Sequence, residues 1–271
     1  MKVFILDNGT LDLDYAWLYH IPHPATVDNQ HPPAEWVTIP TYTVLIEHPQ
    51  LGWVLYDATC HPEWEKRWPK ELQPIFPYRA TDRQLLPAQL DQLGLKMSDI
   101  DIIIISHLHL DHCGCLDFFR GTKAGSRGII VHEDELAHAL KVTHVGPVDF
   151  SGAYVKGEFE LPGINYELMV SHHLELAPDL HLYHWPGHTP GLIGMVAHTQ
   201  HSGTFIFTSD AIYLERNLKE WHLSGIVYDT VAYFRSMYEI KQLARKYNAV
   251  IGYGHDMDKF RELKKAPEYY E

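Results

Sequence analysis

The stretch DIIIISHLHLDHCG, residues 101–114, constrains this chain more than any other. A run of four isoleucines reads as a strand buried on both faces, so it must lie inside a sheet covered by further layers. The run then delivers three histidines and an aspartate within six residues, His107 to His112. If the strand stays extended past Ser106, alternation places His107, His109 and Asp111 on one face and turns Leu108 and Leu110 into the core. His112 follows where the chain must turn, and Gly114 permits a tight turn there.

One tetrahedral zinc takes three or four protein ligands. Two histidines one residue apart can share a cation, whereas the adjacent Asp111–His112 pair suits a second cation close by. Two cations need more donors than this loop holds, and three further residues sit at strand ends. His188 lies in WPGHTPG between Gly187 and Gly191, Asp210 closes TFIFTSD with two oxygens able to bridge, and His255 closes AVIGYGH. The chain has 20 histidines, and most, such as those of HHLEL (172–176) and HTQHSG (198–203), read as solvated strand ends and turns. Cys113 and Cys115 flank Gly114, but the donor set is complete without them and they read as small buried side chains. The triplet HED at 132–134 reads as the acidic start of a helix, placed to cap its dipole.

Elsewhere, runs rich in Val, Ile, Phe and Tyr predict strands at 2–6, 41–48, 53–58, 101–106, 128–132, 180–185, 192–198, 204–210 and 248–254. Helical signals fall at 80–95, 132–141 and 228–248, the last with Tyr233, Met237, Ile240, Ala244 and Tyr247 as a core-facing stripe. With no linker or repeat, the mixture predicts one domain over 1–271 in which helices cover sheets. The segment 14–40 has no period and reads as an extended loop, either functional, packed on a second copy of the chain as a homodimer contact, or packed simply on the core. The 22 basic and 35 acidic side chains leave a net charge of −13, which argues against a nucleic-acid partner. Three cysteines make no disulfide framework, and the start has too short an apolar run for a signal-peptide core. No run reaches the length of a membrane span, so the expectation is a cytoplasmic protein with no membrane partner.

The motifs H-x-H-x-D-H at 107–112 and G-H-T-P-G at 187–191, with Asp210 and the Gly-His pair 254–255, resemble the metallo-β-lactamase superfamily. Within it, IPTYTVLIEHPQLGWVLYDATCHPE, SHLHLDHCGCLDFF, SDAIY, GHDMDKFRELKKAPEYYE and the opening LDNGTLDLDYAWLYHIPHPAT are similar to stretches of the N-acyl-homoserine lactonases. These pieces cover most of the chain. The resemblance implies an αββα sandwich of two mixed β-sheets flanked by helices, with a dinuclear centre between the sheets. It assigns His107, His109 and His188 to one metal and Asp111, His112 and His255 to the other, with Asp210 as the bridge. Tyr213 then occupies the position of that family's active-site tyrosine. The donor set suits two divalent ions, zinc foremost, with cobalt, iron and manganese also compatible. The implied substrate is an acyl lactone, and Trp17, Leu18 and Ile21 are candidates for the wall that meets its tail.

The chemistry follows from such a centre. A hydroxide held between two divalent cations is available at neutral pH and would attack a lactone carbonyl. Tyr213 would help stabilise the oxyanion, and Asp111 would carry a proton to the leaving alkoxide. A thioesterase or other ester hydrolase of the superfamily would use the same metals, since fold does not fix substrate. A redox di-iron or metal-sensing relative fits less well, because such relatives usually replace the second histidine, here His109, and carry a fused flavin domain.

Overall fold

The computed structural model describes residues 1–271. Nine strands arise in its first part: β1 (Lys2–Asp14), β2 (Trp36–His48), β3 (Gly52–Tyr56), β4 (Tyr78–Arg79), β5 (Ile102–Ile104), β6 (Ile129–His132), β7 (Phe150–Ser151), β8 (Tyr154–Val155) and β9 (Tyr166–Met169). Seven of them form a mixed sheet in the order β4-β1-β2-β3-β5-β6-β9, while β7 and β8 pair only with each other. Five more, β10 (His173–Ala177), β11 (Leu180–His184), β12 (Ile193–His198), β13 (Thr204–Ser209) and β14 (Val250–Tyr253), form a second sheet in sequence order. The meander β10 to β13 is antiparallel, and β14 joins β13 in parallel after the helix Thr230–Tyr247 has crossed over.

Alternation along the strands builds the layers. Val3, Ile5, Ile102 and Ile104 face the second sheet, where Leu182, Met195 and Phe207 meet them in one apolar cluster. Their neighbours Phe4, Leu6, Ile103 and Ile105 face outward and are covered by helical residues such as Leu86, Leu90 and Ala139. On the far side, Val196 and Ile206 pack against Tyr233, Met237 and Ile240 of the long helix. Four layers result, helix, sheet, sheet and helix, the expected αββα sandwich. Ile102 to Ile105 are buried on both faces because they lie at the centre of this stack.

Local expectations needed correction at several points. The isoleucine strand ends at Ile104, and Leu110–Cys113 is already helical, with His109 at the position before it. His107, His109 and Asp111 therefore do not share a strand face; they converge because a loop turns into a helix. Leu108 and Leu110 both enter the core, as expected, and Leu110 also lines the cavity described below. Gly114 has an ordinary helical φ of −58°, and its role is close approach: a Cβ there would lie 2.5 Å from the His61 nitrogen. Strands β1 and β2 reach Asp14 and start at Trp36, which shortens the irregular segment to residues 15–35. The stripe on the long helix stops short of Tyr247, whose ring lies edge-on to His198 with centroids 4.7 Å apart. No helix is long and apolar enough to cross a membrane.

Candidate metal centre

The loop after β5 belongs to the first sheet, and the residues after β13 and β14 belong to the second. Where these ends meet, seven side chains converge in two groups. In the first, His107 Nε2 and His188 Nε2 lie 3.1 and 3.0 Å from His109 Nδ1. Asp210 Oδ2 stands 3.5 Å from His107 Nε2 and 3.3 Å from His188 Nε2. In the second, Asp111 Oδ2 is 3.5 Å from the Nε2 atoms of both His112 and His255. The other oxygen of Asp210, Oδ1, lies 3.4 Å from His112 Nε2 and 3.1 Å from His255 Nε2. Asp210 thus gives one oxygen to each group.

Such an arrangement fits a metal and little else. Ligands 2.0–2.1 Å from a tetrahedral ion are about 3.3 Å apart, close to the nitrogen–nitrogen and nitrogen–oxygen separations here. His112 Nε2 and Asp210 Oδ1 are buried and have no hydrogen-bond partner, which is costly unless an ion satisfies them. Charges agree with this. Burial holds His107 at a pKa of about 3, and burial likewise lowers His109 and His188, so all three are neutral donors. Burial opposes the charged form at His112 and His255 too, yet the surrounding carboxylates of Asp111 and Asp210 raise both. The second group therefore calls for positive charge.

Neighbouring atoms fix which nitrogen faces inward for His107, His112, His188 and His255. His188 Nδ1 donates to the Ile226 carbonyl at 3.1 Å, and His255 Nδ1 donates to the Pro40 carbonyl at 3.1 Å. His112 Nδ1 donates to Asp57 Oδ2 at 2.9 Å, and His107 Nδ1 meets Ser106 Oγ at 3.0 Å. Each bond leaves Nε2 free to hold a cation. Asp57 also accepts from the Ser106 nitrogen at 2.7 Å and from its hydroxyl at 2.9 Å. Asp57 and Ser209 both hold left-handed backbone, with φ of 67° and 45°, so strain collects beside the donors. Sequence reasoning passed over Asp57, although it closes the run WVLYD much as Asp210 closes TFIFTSD.

A narrow cleft opens onto the centre. His109, Asp111, Asp210, Tyr213 and His255 make its polar end, and Leu11, Leu13, Ile39, Phe76 and Ile226 make apolar walls. Trp17 and Leu18 also line the cleft. Ile21 is not among the lining residues and is 58% exposed. The Tyr213 hydroxyl lies 3.3 Å from His188 Nδ1, and burial together with the Asp210 charge pushes its pKa well up. It is a phenol, never a phenolate, at neutral pH.

The thiols of Cys113 and Cys115 are buried and bond to the carbonyls of Leu108 and Cys60, away from the donors. At 132–134, His132 caps the helix Glu133–Val145 by accepting from the Asp134 nitrogen, and Glu133 and Asp134 lie in its first turn.

The family model of the metallo-β-lactamase superfamily matches residues 37–255. The N-acyl homoserine lactonase AiiB of Agrobacterium fabrum is 32% identical over 283 residues, covering 100% of this chain and 99% of that one. The chain belongs to the N-acyl homoserine lactonase family. An N-acyl homoserine lactonase from Bacillus sp is 28% identical over 278 residues, 99% of this chain and 98% of that one. The solved structure of an N-acyl homoserine lactone hydrolase, with N-hexanoyl-L-homoserine bound at its catalytic metal centre, shares the lactonase fold. Its TM-score is 0.82 at 24% identity, over 99% of this chain and 98% of that one.

Proposed function

We propose that this enzyme hydrolyses the ring ester of N-acyl-homoserine lactones, with two divalent cations, zinc foremost, as its cofactors. His107, His109 and His188 would hold one cation, Asp111, His112 and His255 the other, and Asp210 both. The observation that carries the reading is the cleft: an apolar trough that ends on two carboxylates, two imidazoles and a phenol. A small polar ring can rest on the centre while an acyl tail lies along Trp17, Leu18 and Phe76.

Bound cations supply an acidified water and polarise the carbonyl. The protein's own groups do the rest. Tyr213, kept protonated by its surroundings, presents an O–H donor where negative charge grows on the carbonyl oxygen. Asp111 is the donor-set carboxylate that lines the cleft with part of its surface exposed, placing it to take the proton released by the attacking water and pass it to the departing ring oxygen. Attack by water needs no covalent enzyme intermediate.

Three buried, unpaired cysteines suit a reducing, cytoplasmic setting. The exposed Ile21, Val27 and Trp36 suit a contact with a second copy of the chain, which sedimentation tests.

The deciding assay is ring opening of a long-chain N-acyl-homoserine lactone, followed as proton release with metal-loaded and chelator-stripped protein. Fast turnover that disappears with the metal and returns on reloading is expected. Tightly held metal without lactone turnover would overturn the substrate and direct the search to thioesters and other esters.

A further inference from the structure

Glu135 is not a donor, yet it is wholly buried beside the donors. It belongs to the first turn of the helix Glu133–Val145, where acidic side chains ordinarily face solvent and offset the dipole. Its carboxylate turns inward instead. Oε1 accepts from the Leu108 nitrogen at 2.9 Å and from the Tyr154 hydroxyl at 2.9 Å, and Oε2 accepts from the Gly191 nitrogen at 3.2 Å.

The places of these three donors give the carboxylate its meaning. Leu108 lies between His107 and His109, and Gly191 lies in the loop that carries His188. One side chain thus ties together two loops, one from each sheet, that carry all three histidines of the first group. Tyr154 adds a third hold, since its ring stands edge-on to the His109 ring with centroids 4.5 Å apart. The contact with the second loop is tight: a Cβ on Gly191 would lie 2.2 Å from the Glu135 nitrogen. Three donors on two oxygens match an ionised carboxylate, which only accepts. Asp57 holds His112 and Ser106 in the same manner, so each donor group has one buried carboxylate behind it.

We propose that Glu135 is the positioning residue of the His107–His109–His188 group, setting the separation of the two loops and hence the spacing of the three nitrogens. It does not line the cleft. The inference rests on the metal-centre part of the reading above and not on the substrate.

The variant Glu135→Gln keeps the size of the side chain but points an N–H₂ donor at one of the three donors. Wild type and variant, metal-loaded and of full length, are titrated with a chelator while retained metal is counted. The visible spectrum of each cobalt-loaded protein is recorded as well. One of two metal equivalents should be held about 10- to 100-fold more weakly, with the other unchanged and the cobalt bands altered. Release of both equivalents at wild-type chelator concentrations, with an unchanged spectrum, would overturn the proposal even if thermal stability fell. Should Glu135→Gln fail to fold, Tyr154→Phe removes one donor alone. A loss of roughly two- to tenfold in the same equivalent is then expected, and wild-type retention counts against the idea. Because metal retention is read without lactone, failure here is distinct from failure of the proposed activity.

Discussion

Replacing Tyr213 with phenylalanine removes one oxygen and leaves the ring between His188 and His255, whose centroids are 5.3 and 5.2 Å away. In the resting protein the hydroxyl makes a long contact, 3.3 Å to His188 Nδ1, a nitrogen already committed to the Ile226 carbonyl. Little ground-state bonding is therefore lost. In the transition state the same hydroxyl would face a growing oxyanion, where a hydrogen bond to a charged group is worth about 1.5–3 kcal/mol. At ~1.4 kcal/mol per decade, kcat should fall roughly ten- to 150-fold. KM should move little, because the interaction strengthens only as charge develops. Stopped-flow proton release gives kcat and KM, and elemental analysis checks that both metals remain. A fully metallated Tyr213→Phe protein with kcat within twofold of wild type would refute the role. So would a loss confined to KM.

Asp111→Asn should lose metal and activity together, and a fully metallated, active variant would sink the proton-carrying role. Trp17→Ala removes a wall whose ring stands 5.3 Å from Phe76. If the indole covers about two tail methylenes at ~0.8 kcal/mol each, kcat/KM should drop roughly fifteenfold more for long-tailed than for short-tailed lactones. Ile21→Ala, outside the cleft, should leave both within twofold; equal losses at Trp17 for all tails would remove it from the tail site. Burial lifts the Glu158 carboxyl to about 7 although Arg67 pairs with it. Between the unfolded carboxyl value near 4.3 and that point, the folded protein keeps a proton the unfolded chain has lost. Stability should therefore fall by up to ~4 kcal/mol as pH rises through this window and level off above it. Denaturant midpoints of chelated protein across that range test this, and an unchanged pH slope in Glu158→Gln would refute it.

The donors were legible because each stands in a dense cluster or beside glycine or small residues at the end of an apolar run, a pattern with few other uses. Their convergence was legible for a partly wrong reason. Alternation past Ser106 fails because pairing of β5 stops at Ile104, and a helix begins at Leu110. Glu135 was hidden inside a sequence that any helix start would show, and only three-dimensional proximity reveals that it faces inward. Strands β9 and β10 escaped notice because Glu and His occupy their exposed faces, as in YELM and HLELA. Trp17, Leu18 and Ile21 could not be sorted by sequence, since an aperiodic loop gives no face to count along. Asp57 left a readable trace that was not weighed.

The bonds from His188 to the Ile226 carbonyl and from His255 to the Pro40 carbonyl bear on how this cleft can change over generations. Ile226 itself, and Ile39 beside Pro40, are also cleft walls. Backbone at those two places is committed to the metal centre, so an insertion that reshaped either wall would swing a ligand imidazole with it. Adaptation to a new tail is confined there to exchange of one side chain for another. Phe76 carries no such commitment; the Trp17 carbonyl does accept from the Gly225 nitrogen at 3.0 Å, next to Ile226, but from Ile21 onward that segment is largely exposed chain. New substrate preferences should therefore accumulate on that side of the cleft, where sequence can drift in length and composition while the chemistry stays intact.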